Sequence, residues 1–171
     1  MIEILFAASF LLLCAFAAIR DLNTLTIPNW LNGWIAFLFL PMSVVVLPGW
    51  DVFGLHLLVG LIAFAIAVLL FSLNVFGGGD AKMIPAVALW IGPSGMLSFV
   101  VFMAIAGGIL TILIVFLRGI LRQPATPGFA YETMTKGAGV PYGVAIAIGA
   151  IVAASQSLIL SPTLSQMGLL G

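Results

Sequence analysis

Charge is what this chain lacks first. Among 171 residues it has five Lys or Arg and five Asp or Glu, 6% of the total, where a soluble domain carries about 25%. The signs balance to a formal net charge of 0, so no basic surface points to nucleic acid. Cysteine is nearly missing too. Cys14 stands alone, which excludes an internal disulfide and a multi-cysteine metal site. Its place inside an apolar run reads as a small buried hydrophobe. His56 is the single histidine, so it has no imidazole partner for a metal and reads as a packed or interfacial side chain near the face opposite the polar motifs below. The phosphate-loop pattern Gly-x-x-x-x-Gly-Lys-Ser/Thr, the nucleophile pattern Gly-x-Ser-x-Gly and the zinc pattern His-Glu-x-x-His are all absent. No cofactor or metal is expected.

What is present is hydrocarbon. Hydrophobic residues make up 64% of the chain, in continuous runs rather than the alternation of a lipid-facing barrel. About 20 apolar residues cross a hydrocarbon core about 30 Å thick. Helices satisfy their own backbone there, so an all-α, polytopic membrane protein is expected. Six apolar segments are legible: residues 4–19, 30–47, 52–73, 81–91, 97–117 and 140–160. The fourth is short, is interrupted by Pro85 and stops at Gly92-Pro93. The sixth is expected to stop at Ser161-Pro162. Residues 1–171 read as one membrane-embedded domain, with its first segment retained rather than cleaved, since the early charge is Glu3 and not a basic cluster.

The few charges set an orientation. With six spans, Arg20, Lys82, Arg118, Arg122 and Lys136 all fall in or beside the first, third and fifth connections (about 20–29, 74–82 and 118–139). The positive-inside rule places these connections in the cytoplasm and both termini outside it. Trp30, Trp34, Trp50 and Trp90 fall near segment ends and read as an aromatic belt, with Tyr131 and Tyr142 as further interface anchors. The long fifth connection, broken by Pro124, Pro127, Gly128, Gly137 and Gly139, reads as a solvated loop or short surface helix.

Two acids stand out from this apolar background. Asp21 closes the first segment, in Asp21-Leu22-Asn23-Thr24-Leu25-Thr26-Ile27-Pro28-Asn29. Asp80 follows a glycine triplet, in Gly77-Gly78-Gly79-Asp80-Ala81-Lys82. The inferred topology puts both on one face. Held near a shared water, two carboxylates can hydrolyse a peptide bond. Mutual repulsion leaves one proton on the pair, one group activates water, and the other polarises the carbonyl and protonates the leaving amine. The pair titrates as a unit, so neither aspartate is assigned as base. Thr26 is a possible cap for the second helix, and Asp80 for the fourth. Asn29 and Asn32 stand at the mouth of an apolar span, placed to bond the carboxylates or a substrate backbone. The glycines permit close approach of another chain beside Asp80. Lys82 either biases the pair, meets lipid phosphate or snorkels. Gly107-Gly108 and the small residues around Gly143 permit tight helix contact.

These motifs resemble those of the prepilin peptidases, the intramembrane aspartic endopeptidases of type IV pilin precursors. The resemblance rests on Asp21 ahead of Ile27-Pro28-Asn29, on Gly77-Gly78-Gly79-Asp80 with Lys82, and on Val140-Pro141-Tyr142-Gly143 at the last span. It implies Asp21 and Asp80 as the catalytic pair, with Asn29, Gly77, Gly78, Gly79, Lys82, Pro141, Tyr142 and Gly143 in support. It also implies a prepilin or pseudopilin precursor as substrate, cut on the cytoplasmic side at a glycine just before its hydrophobic stretch, with membrane lipid as the surrounding partner. Larger relatives carry a cysteine-paired cytoplasmic insertion and also N-methylate. Nothing similar precedes the first span here, so the likeness is to the short, peptidase-only branch serving tight-adherence (Flp) pili. Two other readings stay open. An ion-coupled transporter would use intramembrane acids, although it would hold them near mid-membrane. A non-catalytic pilus assembly protein would tolerate loss of either carboxylate.

Overall fold

A computed structural model describes residues 1–47, 49–120, 128–135 and 137–169. Arg122, Pro124, Pro127 and Lys136, used above to read turns and orientation, lie outside the described residues. The described chain is all helical: α1 (Ile2–Thr24), α2 (Asn29–Val46), α3 (Trp50–Ser72), α4 (Asp80–Ile120), α5 (Tyr131–Met134), α6 (Tyr142–Ala154) and α7 (Ser161–Gln166). Four of these, α1 to α4, are long and apolar enough to cross a membrane.

The helices end where the local chemistry requires. At the end of α1 the chain turns left-handed at Leu25 (φ 49°), whose N–H bonds the Asp21 carbonyl at 2.8 Å. The next residues have no regular structure, and Pro28 (φ −67°, ψ 143°) leads into α2. Thr26 does not cap that helix. Its hydroxyl pairs with Thr24 Oγ1 at 2.8 Å, and Pro28 holds the cap position.

The decisive break is inside α4. Gly92 takes φ 64°, ψ −172°, a left-handed φ that side-chain-bearing residues rarely adopt. The break separates a short arm (80–91) from a long one (93–120), at the position the sequence marks with Gly92-Pro93. Gly95 packs against Ala153 near the end of α6, and Gly107 against Tyr142 at its start. The long arm therefore runs antiparallel to α6, back toward the end of the bundle that holds Asp80.

A break inside an apolar bundle strands backbone carbonyls, which cost free energy if left bare. Pro93 has no N–H to offer the Leu89 carbonyl. His56 Nδ1 bonds that carbonyl instead, at 2.7 Å, and since a carbonyl can only accept, Nδ1 carries the proton. Ser157 Oγ donates to the Trp90 carbonyl at 2.5 Å and accepts the N–H of Ile159 at 3.2 Å. His56 is thus fully buried, packed rather than interfacial. Ser157 also explains why α6 is shorter than the apolar run suggests. The helix stops at Ala154, a turn carries Ser157 to the break, and Ser161-Pro162 open α7 rather than closing the sixth segment.

Trp90 departs from the aromatic-belt expectation for a related reason. It is fully buried, stacked on Phe10 at 4.8 Å, and its Nε1 donates to the Ile35 carbonyl at 2.7 Å. Trp30, Trp34 and Trp50 are exposed, as a lipid-facing belt requires. Around Trp90, Phe10, Phe39, Met83, Val87 and Ile146 form the fully buried core. Small residues let the helices close on it. A Cβ at Gly60 would lie 2.4 Å from Leu89, and one at Gly149 would lie 2.8 Å from the Phe99 carbonyl. Such close approach replaces the hydrophobic drive that lipid does not supply.

Candidate active site

Asp21 and Asp80 line one cavity of about 580 Å³, with Leu25, Asn74, Phe76, Gly77, Thr111, Gly139, Val140 and Tyr142 among its walls. Residues from the end of α1, the 74–80 connection, the long arm of α4 and the start of α6 thus meet at one end of the bundle. Both carboxyls are buried, 4% and 9% exposed, which is uncommon for aspartate without a paired charge.

Each carboxyl is set by a different neighbour. Asp21 Oδ2 accepts the Gly143 N–H at 2.7 Å, in the first turn of α6. That contact needs glycine. A Cβ on Gly143 would lie 2.9 Å from Asp21 Oδ2 and 2.8 Å from Ile27 Cδ1. Asp80 opens α4, but its Oδ1 is buried with no hydrogen-bond partner among the described residues. A simple capping role leaves that oxygen unexplained. On its other side, a Cβ at Gly77 would come within 3.1 Å of Asp80 Oδ2. The glycine leaves the carboxyl clear.

The glycine triplet also registers the two acidic motifs against each other. A Cβ at Gly79 would lie 3.0 Å from Ile27 Cβ and 3.1 Å from the Ile27 nitrogen. Asn32 Nδ2 donates to the Gly79 carbonyl at 3.2 Å. The Ile27-Pro28-Asn29 turn and the Gly77-Gly78-Gly79 tract therefore pack backbone to backbone, which fixes the Asp80 motif beside the Asp21 motif. Gly78 has ordinary room, with Phe71 at 3.6 Å from the position of a Cβ.

The remaining expected residues separate into those in the cavity and those beside it. Tyr142 lines the cavity, packs on Phe76 with ring centroids 5.3 Å apart, and fits over Gly107, where a Cβ would lie 2.8 Å from its hydroxyl. It is held inside the bundle end rather than serving as a free interface anchor. Pro141 is buried at the cap of α6. Asn29 and Lys82 are not on the carboxylates. Lys82 Nζ donates to Asn29 Oδ1 at 2.7 Å, and both line a separate groove of about 320 Å³ between α2, α3 and the short arm. Asn32 likewise bonds backbone and not carboxylate.

Three residues that sequence reasoning passed over hold this end together. Thr133, fully buried in α5, donates through Oγ1 to the Leu22 carbonyl. Asn23 Oδ1 accepts the Ala130 N–H at 2.8 Å. Arg118 bonds the carbonyls of Thr133, Ala138 and Gly139. The short surface helix expected in the fifth connection is α5, and it is docked rather than free.

With this geometry in place, comparison with known proteins gives one positive result. Residues 8–112 match the model of the type IV leader peptidase family. No curated protein and no solved structure matches the chain. The matched span contains both aspartates and their motifs, and it ends before the 139–143 turn that bonds Asp21. The chain belongs to the type IV leader peptidase family, and its activity class is that of a peptidase.

Proposed function

We propose that the chain is an intramembrane aspartic endopeptidase with Asp21 and Asp80 as its catalytic pair. It removes the short basic leader from type IV prepilin-like precursors at the cytoplasmic membrane face, without N-methylation. The observation that carries this reading is that the two buried carboxyls line one cavity. A water between them would meet one ionised and one protonated group, because like charges at short range resist double ionisation. The ionised carboxyl takes a proton from water as the water oxygen adds to the scissile carbonyl, whose oxygen receives the other carboxyl's proton. When the gem-diol collapses, the C–N bond breaks, the amine leaves with the proton taken from water, and the diol returns its own proton to the second carboxyl. Asp21, tethered through Oδ2 by Gly143, and Asp80, whose Oδ1 is free of partners, differ in restraint. The base is a property of the pair rather than of either residue.

Orientation follows from charge. Arg20 adjoins Asp21, Lys82 adjoins Asp80, and Arg118 binds the turn that forms a cavity wall. Among the described residues the basic side chains thus gather at the cavity end, which supports a cytoplasmic site and extracytoplasmic termini. A precursor whose basic leader stays in the cytoplasm and whose apolar stretch enters the membrane would present its junction to this cavity.

The test is co-expression with a prepilin, with the product's new amino terminus read by mass spectrometry, in wild type, Asp21→Asn and Asp80→Asn. A leaderless, unmethylated product from wild type alone is expected. Cleavage retained by either folded variant removes the pair from the mechanism.

A further inference from the structure

We propose that Arg118 is a positioning residue for the active site, acting through the chain that bonds Asp21. The proposal rests on the peptidase reading and adds a device that the motifs do not contain. Arg118 sits in the last turn of the long arm of α4, away from both aspartates in sequence. Its guanidinium donates through Nε to the Thr133 carbonyl at 2.8 Å, and Nη2 bonds the same oxygen. Nη1 donates to the Ala138 carbonyl at 2.9 Å, and Nη2 to the Gly139 carbonyl at 2.7 Å. One planar fork therefore gathers three carbonyls, one from α5 (Thr133) and two (Ala138 and Gly139) from the residues that lead into α6.

The turn matters because of what it carries. Gly139 and Val140 are cavity walls, Tyr142 is another, and Gly143 supplies the N–H held by Asp21 Oδ2. On its other side the same turn is anchored to α1 at the residues next to Asp21. Thr133 Oγ1 donates to the Leu22 carbonyl and Asn23 Oδ1 accepts the Ala130 N–H. Arg118, α5 and the end of α1 thus form a clamp, and both the Asp21 side chain and the wall facing Asp80 depend on it. Lysine cannot replace the fork. Its point charge on a flexible stem does not present donors in a fixed plane to several carbonyls.

The experiment compares wild type, Arg118→Lys and Thr133→Val. Arg118→Lys keeps the charge that orients the protein and removes the fork. Thr133→Val keeps shape and removes the bond to Leu22. Cleavage kinetics are measured on a prepilin, with thermal unfolding measured in the same detergent. In parallel, the rate of thiol labelling at Gly139→Cys is read in each background. Glycine 139 has nothing within 4 Å of where its Cβ would lie, so the reporter fits. The clamp predicts about a tenfold fall in kcat for each variant, with KM within twofold and a loss of unfolding stability too small to account for it, since small misplacement of reacting groups is costly. It also predicts faster labelling at position 139 and a double variant no worse than Arg118→Lys alone. Wild-type kcat and labelling rate in Arg118→Lys overturn the proposal. So does an activity loss that only tracks a loss of folded protein. If wild type itself cleaves no precursor, the peptidase reading fails, and unchanged labelling in Arg118→Lys separately removes the clamp.

Discussion

At the Gly92-Pro93 break, Leu89 loses its helical donor and His56 supplies another, while Ser157 serves the Trp90 carbonyl. At the opposite end of the short arm, Asp80 keeps a buried Oδ1 with no partner. The same helix thus holds two polar problems in apolar surroundings: at one the stranded carbonyls are met, with His56 Nε2 itself left without a partner among the described residues, and at the other the carboxyl oxygen stays open. Closing an orphaned carbonyl stabilises the fold, because a bare one costs about 1–3 kcal/mol. On the proposed reading, a carboxyl oxygen left open inside a cavity serves a molecule that comes and goes. The contrast would then separate side chains that maintain the bundle from those that meet substrate. It also predicts that substitutions at the two ends change different observables.

The largest expected effect is at the open end. Asp21→Asn and Asp80→Asn should each lower cleavage by about 10²–10⁴-fold, the usual contribution of a general acid or base, with unfolding temperature held or raised. A parallel loss of folded protein would break the contrast. Next comes the closed end. Gly92→Ala places a Cβ 2.2 Å from the His56 ring at φ 64°, and should lower stability by about 3–4 kcal/mol. Cleavage per folded molecule should be unchanged, as measured by unfolding in detergent beside activity normalised to monodisperse protein. Gly143→Ala should then cut cleavage by about 10–100-fold, because its methyl displaces Asp21. A Gly143→Ala enzyme with normal kinetics would show that the Asp21 tether is dispensable. The smallest effect is Ser157→Ala, about 1–2 kcal/mol of stability from the uncovered Trp90 carbonyl, again with unchanged specific activity.

Much of this arrangement is legible in one dimension because lipid simplifies the code. Apolar runs mark the helices, and Gly92-Pro93 marks the break, since glycine tolerates the left-handed φ and proline lacks the donor. The aspartates stand out because charge is so scarce. The pairing of orphaned atoms is not legible. Nothing near His56 in sequence announces Leu89, and nothing near Ser157 announces Trp90, so the last apolar run reads as one helix through Leu160 instead of a helix ending at Ala154. Asn29, Asn32 and Lys82 are polar residues in suggestive places, yet they bond one another's neighbourhood and not the carboxylates. Arg118 reads from sequence as an orienting charge. Its chemical identity, arginine rather than lysine ahead of a glycine-rich connection, was the available signal for a carbonyl-gathering role.

The hairpin inside α4 has a consequence for biosynthesis. At 1.5 Å per residue the short arm is about 18 Å long, well under the hydrocarbon thickness of about 30 Å. It begins with an acid and contains Pro85, and is too brief to be retained in the membrane as a solitary helix. Of the two partners for its broken end, His56 is already made, but Ser157 emerges only after the long arm. Full-length chains and chains truncated after residue 120, tested for membrane burial of residues 80–91, should differ accordingly. The order of synthesis thus delays the short arm until the chain following it has turned back, and on the proposed reading the second carboxyl of the pair is delivered as part of a folded unit.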